Sequence, residues 1–209
     1  MPESGSRKQL TDMDHMLSEK IIAEYAGDLP LEKKIIVLAE KVRDIPYGVI
    51  GSRTAEDVYL KNMGTCSGKH ALLRELYLAL DLKTQEFVAM HRFANLPVKF
   101  PEHIAEILKR SDIVDPHNFF KLFISDRWVT VDITWDKPLA KIGFPVTENW
   151  DGISDMPLCV VAGEIIETNN PGEIKEERLA LLSDSIQKDR KLFLQLLSDF
   201  LSNRLENKP

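Results

Sequence analysis

The stretch that indicates the fold is residues 64–73, Gly64-Thr65-Cys66-Ser67-Gly68-Lys69-His70-Ala71-Leu72-Leu73. The Gly-Thr pair ends the preceding structure, and an apolar helical run begins at Cys66 and continues to about Leu80. A thiol at a helix N-terminus meets free N–H groups and the positive end of the helix dipole, and both favour an anion. Such a cysteine is a candidate nucleophile, with the first-turn N–H groups as oxyanion donors. A small buried hydrophobic residue is the alternative.

Composition and charge limit the kinds of protein that this chain can be. At 209 residues and 44% apolar content, the chain suits one domain with extensions, or at most two small domains. The formal charge of −6 argues against nucleic acid or an anionic membrane as the main partner. There is neither an apolar leader at the start nor a run long enough to span a membrane. We therefore expect a cytoplasmic protein.

Neither a metal nor a cofactor is predicted. The two cysteines, Cys66 and Cys159, form no C-x-x-C pair, and the five histidines show no ligand spacing. The Gly64 to His70 stretch superficially resembles a phosphate-binding loop. Such a loop needs four residues between its glycines and a hydroxyl residue after the lysine, whereas here three intervene and His70 follows Lys69. Lys69 is predicted to be a charge on the helix surface, or one that lowers the thiol pKa.

Helical and strand periodicities predict an α+β protein. Helices are predicted at 12–25, 30–45, 54–60, 66–80 and 101–110, strands at 84–89, 117–124, 127–135 and 157–166, loops at 90–99 and 138–156, and a long C-terminal helix with a break near Asp189-Arg190. Asn170-Pro171-Gly172-Glu173 is a typical start for that helical region. We expect a disordered tail at 1–10, one α+β domain with N-terminal helices at 11–168, and a helical extension at 169–209 that packs on the same domain.

The predicted hairpin brings a histidine and an aspartate to one sheet face. If Ser125-Asp126 is a two-residue turn, Ile124 pairs with Arg127, and His117 and Asp132 then point to the same side. The opposite face is then entirely apolar, as a core face should be, with Phe120, Leu122, Ile124, Val129, Val131, Ile133 and Trp135. A histidine held by a carboxylate on a rigid element is what a general base needs. Alone, His117 and Asp132 would more often be a strand-end polar residue and a surface acid.

The three residues together resemble a known family. Gly64-Thr65-Cys66 opens an apolar helix, His117 starts a strand, and Trp128 is followed by Val131-Asp132-Ile133-Thr134 on the next strand. This pattern resembles the transglutaminase-like superfamily, which shares the papain-like cysteine-protease core, and the resemblance covers about residues 30–136. It implies Cys66 as the nucleophile, His117 as the general base and Asp132 as the residue that orients it. It also implies a helix carrying the nucleophile, packed on a small antiparallel sheet.

Several residues near the predicted site have open roles. The family's oxyanion-donating side chain has no clear counterpart upstream of Cys66, and Tyr47 and Asn62 are weak candidates. His70 shares the helix with Cys66, and an ordinary hydrogen-bonded or solvated histidine is the favoured interpretation. A surface loop is favoured for His91 over a place in the cleft. The alternatives for Trp128 and Trp135 are pocket walls or core.

The leading hypothesis is a cysteine-dependent acyl-transfer enzyme that acts on an amide or peptide bond of a protein or peptide substrate. Hydrolysis, as in a protease or deamidase, is favoured over amine transfer, because transfer requires a pocket that excludes water. A non-catalytic interaction module on the same fold is the third hypothesis. Cys159 lies in an apolar run and is expected to be a buried, unreactive thiol that forms no bond with Cys66.

Overall fold

The computed structural model of the chain describes residues 12–206 and has the expected α+β class. The tail predicted at 1–10 lies outside the described residues. In chain order the elements are α1 (Asp12–Ala26), α2 (Leu31–Arg43), α3 (Ala55–Lys61), α4 (Cys66–Ala79), β1 (Lys83–Arg92), a 3-10 helix (Phe93–Asn95), α5 (Glu102–Arg110), β2 (Val114–Ile124), β3 (Arg127–Val131), a second 3-10 helix (Lys137–Ile142), β4 (Ala162–Thr168), α6 (Pro171–Ala180) and α7 (Asp184–Glu206). No helix in the described part of the chain is both long and apolar enough to cross a bilayer.

The four strands form one antiparallel sheet in the order β3-β2-β1-β4. Ile124 pairs with Arg127, so the hairpin has the predicted two-residue turn. Ser125 and Asp126 have φ values of 49° and 58°, which a tight turn between twisted strands requires at both positions. The predicted register is therefore confirmed, and its apolar face lies in the main core, where Phe120, Leu122, Val129, Val131 and Ile133 are all buried.

Helix α4 begins at Cys66, as predicted, and packs its apolar face into the same core. Leu72, Leu73, Leu76 and Tyr77 are at most 1% exposed. Gly68 lets α4 approach α3 closely, since a Cβ at this position would lie 2.6 Å from a methyl group of Val58. The arrangement is a nucleophile-bearing helix packed on an antiparallel sheet, and it confirms the predicted architecture.

Several strand boundaries differ from the prediction, and β2 begins at Val114, so His117 lies inside the strand rather than at its start. β1 extends to Arg92, so His91 lies in a strand and is 4% exposed, and its assignment to a surface loop is wrong. The reason is its pairing with Asp115 on β2, a long-range contact that the polar local sequence does not reveal. β3 ends at Val131 rather than at residue 135, and β4 begins at Ala162 rather than at 157.

The C-terminal segment forms two helices. The Asn170 side chain accepts a hydrogen bond from the Glu173 N–H, and α6 starts there as predicted. The break before α7 falls at residues 181–183, whereas the predicted break at Asp189-Arg190 lies inside α7. α7 packs against α5 in a second apolar cluster, and α6 lies against β1 and β2.

Candidate active site

Cys66 is the first residue of α4, and its thiol lies in a nearly closed site. Thr65, the residue before the helix, has an extended backbone, so the chain turns into the helix at Cys66 itself. The cysteine is 7% exposed. The Asn118 backbone and the His117 side chain both lower the pKa of its thiol. These two groups and the positive end of the helix dipole favour a negative charge on the sulfur.

His117 bridges the thiol and a carboxylate. It lies on β2, three residues after the strand begins, and is 2% exposed. Its Nε2 is 2.7 Å from Oδ2 of Asp132. The ring nitrogen left to interact with Cys66 is therefore Nδ1. A ring held in this way can take a proton at Nδ1 while the carboxylate stabilises the imidazolium.

Asp132 follows directly after β3 and is 1% exposed. Besides His117, its carboxylate accepts hydrogen bonds from the Cys159 N–H at 2.7 Å, the Thr134 hydroxyl at 2.8 Å and the Thr134 N–H at 3.3 Å. Burial alone would raise the pKa of this carboxyl group, but the charge and hydrogen bond of His117 hold the pKa well below its usual range. Asp132 is thus an ionised, rigidly oriented carboxylate.

The electrostatics favour a thiolate and an imidazolium at neutral pH. Burial alone would raise the pKa of Cys66, but the Lys175 charge and the His117 hydrogen bond lower that pKa to about 5. Burial alone would lower the pKa of His117, but the Asp132 charge and hydrogen bond, with a further contribution from Cys66, raise it to about 10. The sulfur is therefore an anion, and the ring carries a proton that it can give to a leaving group.

His70 is a buried structural histidine. Its Nδ1 lies 2.7 Å from the Cys66 carbonyl oxygen, and the Ile133 N–H donates to its Nε2 at 3.1 Å. A carbonyl only accepts and an N–H only donates, so Nδ1 carries the hydrogen and the ring is neutral. Nε2 also lies 3.4 Å from Asp132 Oδ1, but in this tautomer it has no hydrogen to donate to that oxygen. His70 thus ties the start of α4 to the segment after β3.

Lys69 is not a surface charge, and this prediction is wrong. The side chain is fully buried, and Nζ donates to the carbonyl oxygens of Arg43 at 2.7 Å and Thr134 at 2.8 Å. Burial lowers the pKa of Lys69 to about 8. The lysine joins the end of α2 to the segment after β3, and its two hydrogen bonds direct it to these carbonyls.

Cys159 is buried and forms no disulfide, as predicted. Burial, followed by the nearby Asp132 charge, raises the pKa of its thiol well above the usual value. The residue lies before β4 rather than within the strand that was predicted for it. Because its backbone N–H donates to Asp132, Cys159 supports the site through its main chain.

The structure also shows where the two tryptophans and the two candidate oxyanion donors of the sequence analysis lie. Trp135 is core, 2% exposed, with its indole N–H donating to the Cys159 carbonyl. Trp128 is 44% exposed on the hairpin, where it packs on Phe123. Asn62 is an exposed residue at the end of α3. Tyr47 is buried, and its pKa is raised by burial and then by the Cys66 charge, so it is the candidate that lies near the thiol.

Lys175 is the residue near the sulfur that sequence reasoning missed. It comes from α6, 109 residues after Cys66, and its Nζ lies 3.9 Å from Sγ of Cys66 and 2.7 Å from Oγ of Ser67. The only feature of the local sequence that distinguishes Lys175 is that it is the one lysine of a polar helix. A lysine in such a helix is normally exposed, so no motif or period indicates its position.

Comparisons with known proteins leave the family open. Neither the family models nor the curated proteins give a match to the sequence. Among solved structures, a crystal structure described as a "putative cysteine protease" from Cytophaga hutchinsonii matches with a TM-score of 0.42 and 17% identity. The match covers 74% of this chain, which thus spans about half, 49%, of that protein. Within the described residues, no three His, Cys, Asp or Glu side chains are grouped to hold a metal ion. The chemistry of the site is therefore inferred from its own geometry.

Proposed function

We propose that this protein is a cysteine-dependent acyl-transfer enzyme of the transglutaminase-like type, which cleaves an amide or peptide bond of a protein or peptide substrate. The observation that carries the proposal is the arrangement of Cys66, His117 and Asp132: one nitrogen of the His117 ring lies 2.7 Å from the carboxylate, and the same ring lowers the pKa of the Cys66 thiol. A nucleophile, a base and a group that orients the base are the parts that covalent catalysis on a carbonyl needs.

The steps follow from the protonation states. The Cys66 thiolate attacks the carbonyl carbon, a C–S bond forms, and the carbonyl oxygen becomes an oxyanion that N–H groups at the start of α4 stabilise. Protonated His117 gives the Nδ1 proton to the leaving amine as the C–N bond breaks, which leaves a thioester and a neutral ring. Water then attacks the thioester while His117 takes its proton, and the carboxylic acid and the thiolate are released.

Hydrolysis is the favoured second half-reaction, because water is abundant and hydrolysis demands no second binding site. Amine transfer is the other candidate, and one observation favours it. Cys66 is only 7% exposed, and a nearly closed site shields a thioester from water until an amine arrives. Both reactions share the thioester, so they differ only in the group that resolves it.

The nucleophile is tested by alkylation with iodoacetamide across pH, read by mass spectrometry. We expect Cys66 to be labelled with an apparent pKa well below the usual value of about 8.5, while Cys159 stays unlabelled in the folded protein. His117→Ala is the matched control and should raise the apparent pKa of Cys66. Slow and equal labelling of both cysteines would contradict the proposal and favour the non-catalytic interaction module.

The resolving nucleophile is tested on peptide and protein mixtures in ¹⁸O-labelled water with and without a fluorescent primary amine. Hydrolysis places ¹⁸O in the new carboxyl group, whereas amine transfer attaches the fluorophore and leaves the label in the water. Cys66→Ala serves as the inactive control. If neither product depends on Cys66, the proposed function is wrong.

A further inference from the structure

Lys175 is a buried lysine whose ammonium group lies beside the sulfur of Cys66. In α6, whose ten residues are all described, Lys175 is the one buried side chain, at 5% exposure. Its Nζ lies 2.7 Å from the Ser67 hydroxyl and 3.9 Å from the Cys66 sulfur. Burial of an ammonium group is strongly unfavourable unless an anion compensates for the lost solvent. Such an anion should therefore be present beside Lys175.

The charged groups that face Lys175 identify this anion. Burial and the cations Arg53 and Arg190 disfavour the protonated lysine, while Cys66 and Asp115 favour it. Asp115 already forms an ion pair with Arg190, in which both side chains are largely buried. The anion in contact with Nζ is the Cys66 thiolate, whose sulfur lies 3.9 Å away.

The histidine that faces Lys175 from β1 does not compete with this pairing. His91 lies in a buried environment, and burial lowers its pKa to about 4, so its ring is neutral near pH 7. The Ser67 hydroxyl has a lone pair for one hydrogen of the ammonium and thereby holds Nζ beside the sulfur. Lys175, Ser67 and Cys66 thus form a compact group at the first turn of α4.

We propose that Lys175 is a fourth catalytic residue, which holds Cys66 as the thiolate in the free enzyme and then donates to the oxyanion of the tetrahedral intermediate, with Ser67 as its positioning residue. This inference rests on the proposed function. It supplies the side-chain oxyanion donor that no residue upstream of Cys66 clearly provides. Lys175 stays protonated throughout, because His117 carries out both proton transfers.

The distances allow the second role. When the sulfur bonds the carbonyl carbon, its negative charge passes to an oxygen attached to that same carbon. An ammonium group 3.9 Å from the sulfur needs only a small side-chain movement to reach the separation of about 2.7 to 3.1 Å at which donors stabilise an oxyanion. The ammonium thus remains next to the negative charge in both states.

A purely structural role makes the opposite prediction. If Lys175 only closes the site, its replacement by the apolar methionine opens access to the sulfur and leaves the thiol pKa unchanged. Alkylation would then be as fast as in the wild type or faster. If Lys175 holds the thiolate, the same replacement makes the thiol less acidic and alkylation at low pH slower.

The experiment compares Lys175→Met, Lys175→Arg and the control Lys188→Met, which removes an exposed lysine of α7. The apparent pKa of Cys66 is read from alkylation across pH, and thermal melting confirms that each variant is folded. We expect Lys175→Met to raise the apparent pKa by about 1 to 3 units, which slows alkylation at about pH 6 by roughly 2-fold to 10²-fold. Lys175→Arg keeps the charge and should restore most of the acidity, and Lys188→Met should change nothing.

Turnover separates the two roles of Lys175. At a pH above the thiol pKa of both the wild type and Lys175→Met, but below the His117 pKa of about 10, the thiolate is formed and the ring still carries its proton. Any remaining defect of Lys175→Met in this window reports on the intermediate. We expect turnover there to remain lower by about 10²-fold, the usual effect of removing one oxyanion donor. Recovery to the wild-type rate would overturn the oxyanion role.

An unchanged apparent pKa in folded Lys175→Met would overturn the thiolate role while the proposed function stands. A wild-type apparent pKa near the usual thiol value would overturn both. If Lys175→Met fails to fold, Ser67→Ala takes its place, since it releases Nζ without removing the charge. It should raise the apparent pKa in the same direction but by less, and an unchanged value would again contradict the inference.

Discussion

The exchange Asp132→Asn tests the role of the carboxylate most directly. Asn has nearly the shape of Asp, but one of its two side-chain oxygens is replaced by an NH2 group that cannot accept a hydrogen bond. In the structure Oδ2 accepts from His117 and from the Cys159 N–H, both at 2.7 Å. Oδ1 accepts from the Thr134 hydroxyl at 2.8 Å and from the Thr134 N–H at 3.3 Å.

The cost to stability follows from these bonds. The remaining oxygen of Asn is best placed at the Oδ2 position, where it accepts the two short hydrogen bonds from His117 and from the Cys159 N–H. The NH2 group of the introduced Asn then faces Thr134. The Thr134 hydroxyl can rotate to accept a hydrogen bond from this group, but the Thr134 backbone N–H loses its acceptor. One unsatisfied buried donor costs about 1 to 3 kcal/mol, which corresponds to a fall in melting temperature of about 2 to 12 °C for a chain of this size. We expect the variant to fold with reduced stability.

The cost to catalysis comes from the lost charge. Without the carboxylate the imidazolium is less stable, so the His117 pKa falls and the Cys66 thiolate loses its cationic partner. An amide can also hold the ring in the wrong tautomer. We expect turnover to fall by about 10²-fold, at the lower end of the usual contribution of general acid–base catalysis, because a thiolate needs less help than an alkoxide.

The assay measures melting temperature, turnover and the alkylation profile of Cys66 on the same preparation. Asp136→Asn is the matched control, since Asp136 is also buried and accepts the Tyr47 N–H at 3.0 Å. We expect Asp136→Asn to lower the melting temperature and leave the alkylation profile in place. If Asp132→Asn likewise changes only the melting temperature, Asp132 does not orient His117 and the triad hypothesis is wrong.

Two further predictions concern stability. The pKa of Cys66, lowered to about 5 from the usual value of about 8.5, contributes stability that is fully present above the usual value and is lost as pH falls toward 5. The difference in the free energy of unfolding between wild type and Cys66→Ala should therefore rise with pH across this window, by up to about 1.4 kcal/mol per pH unit. Denaturant titrations in which this difference does not change with pH would rule out a thiolate in the folded state. Lys69→Met leaves two buried carbonyl oxygens without their donor and should cost about 2 kcal/mol or more, measured by the same titrations, while the apparent pKa of Cys66 stays in place. Wild-type stability in Lys69→Met would show that these bonds contribute nothing net.

Local rules were sufficient for the parts of the site that lie on one hairpin and one helix start. The two-residue turn at Ser125-Asp126 fixes the register, and a period of two then places His117 and Asp132 on the same side of the sheet. Gly64-Thr65 ends one segment and begins another, which places Cys66 first in α4. These predictions depend on residues that are neighbours in the chain or across one turn.

Polar residues that are buried by distant partners were not predictable in this way. Lys69 and His91 both have polar neighbours in the sequence, so periodicity assigns them to the surface or to a loop. Lys69 is instead buried because the carbonyl oxygens of Arg43 and Thr134 surround Nζ. His91 is buried because β1 continues along β2 beyond its apolar part. In both cases the partner lies far away in the chain, and only the assembled fold brings it near.

Lys175 shows the same limit with a consequence for function. The start of α6 was predicted from Asn170 and Pro171, and a helix that packs on the domain was expected from its position. An amphipathic helix is recognised by the apolar residues of its buried face, but the buried side chain of α6 is a lysine. We infer that a cation is tolerated at that position because the Cys66 sulfur, 3.9 Å from Nζ, is ionised. The burial of Lys175 and the acidity of Cys66 therefore depend on each other, and a change in either should be measurable in the other.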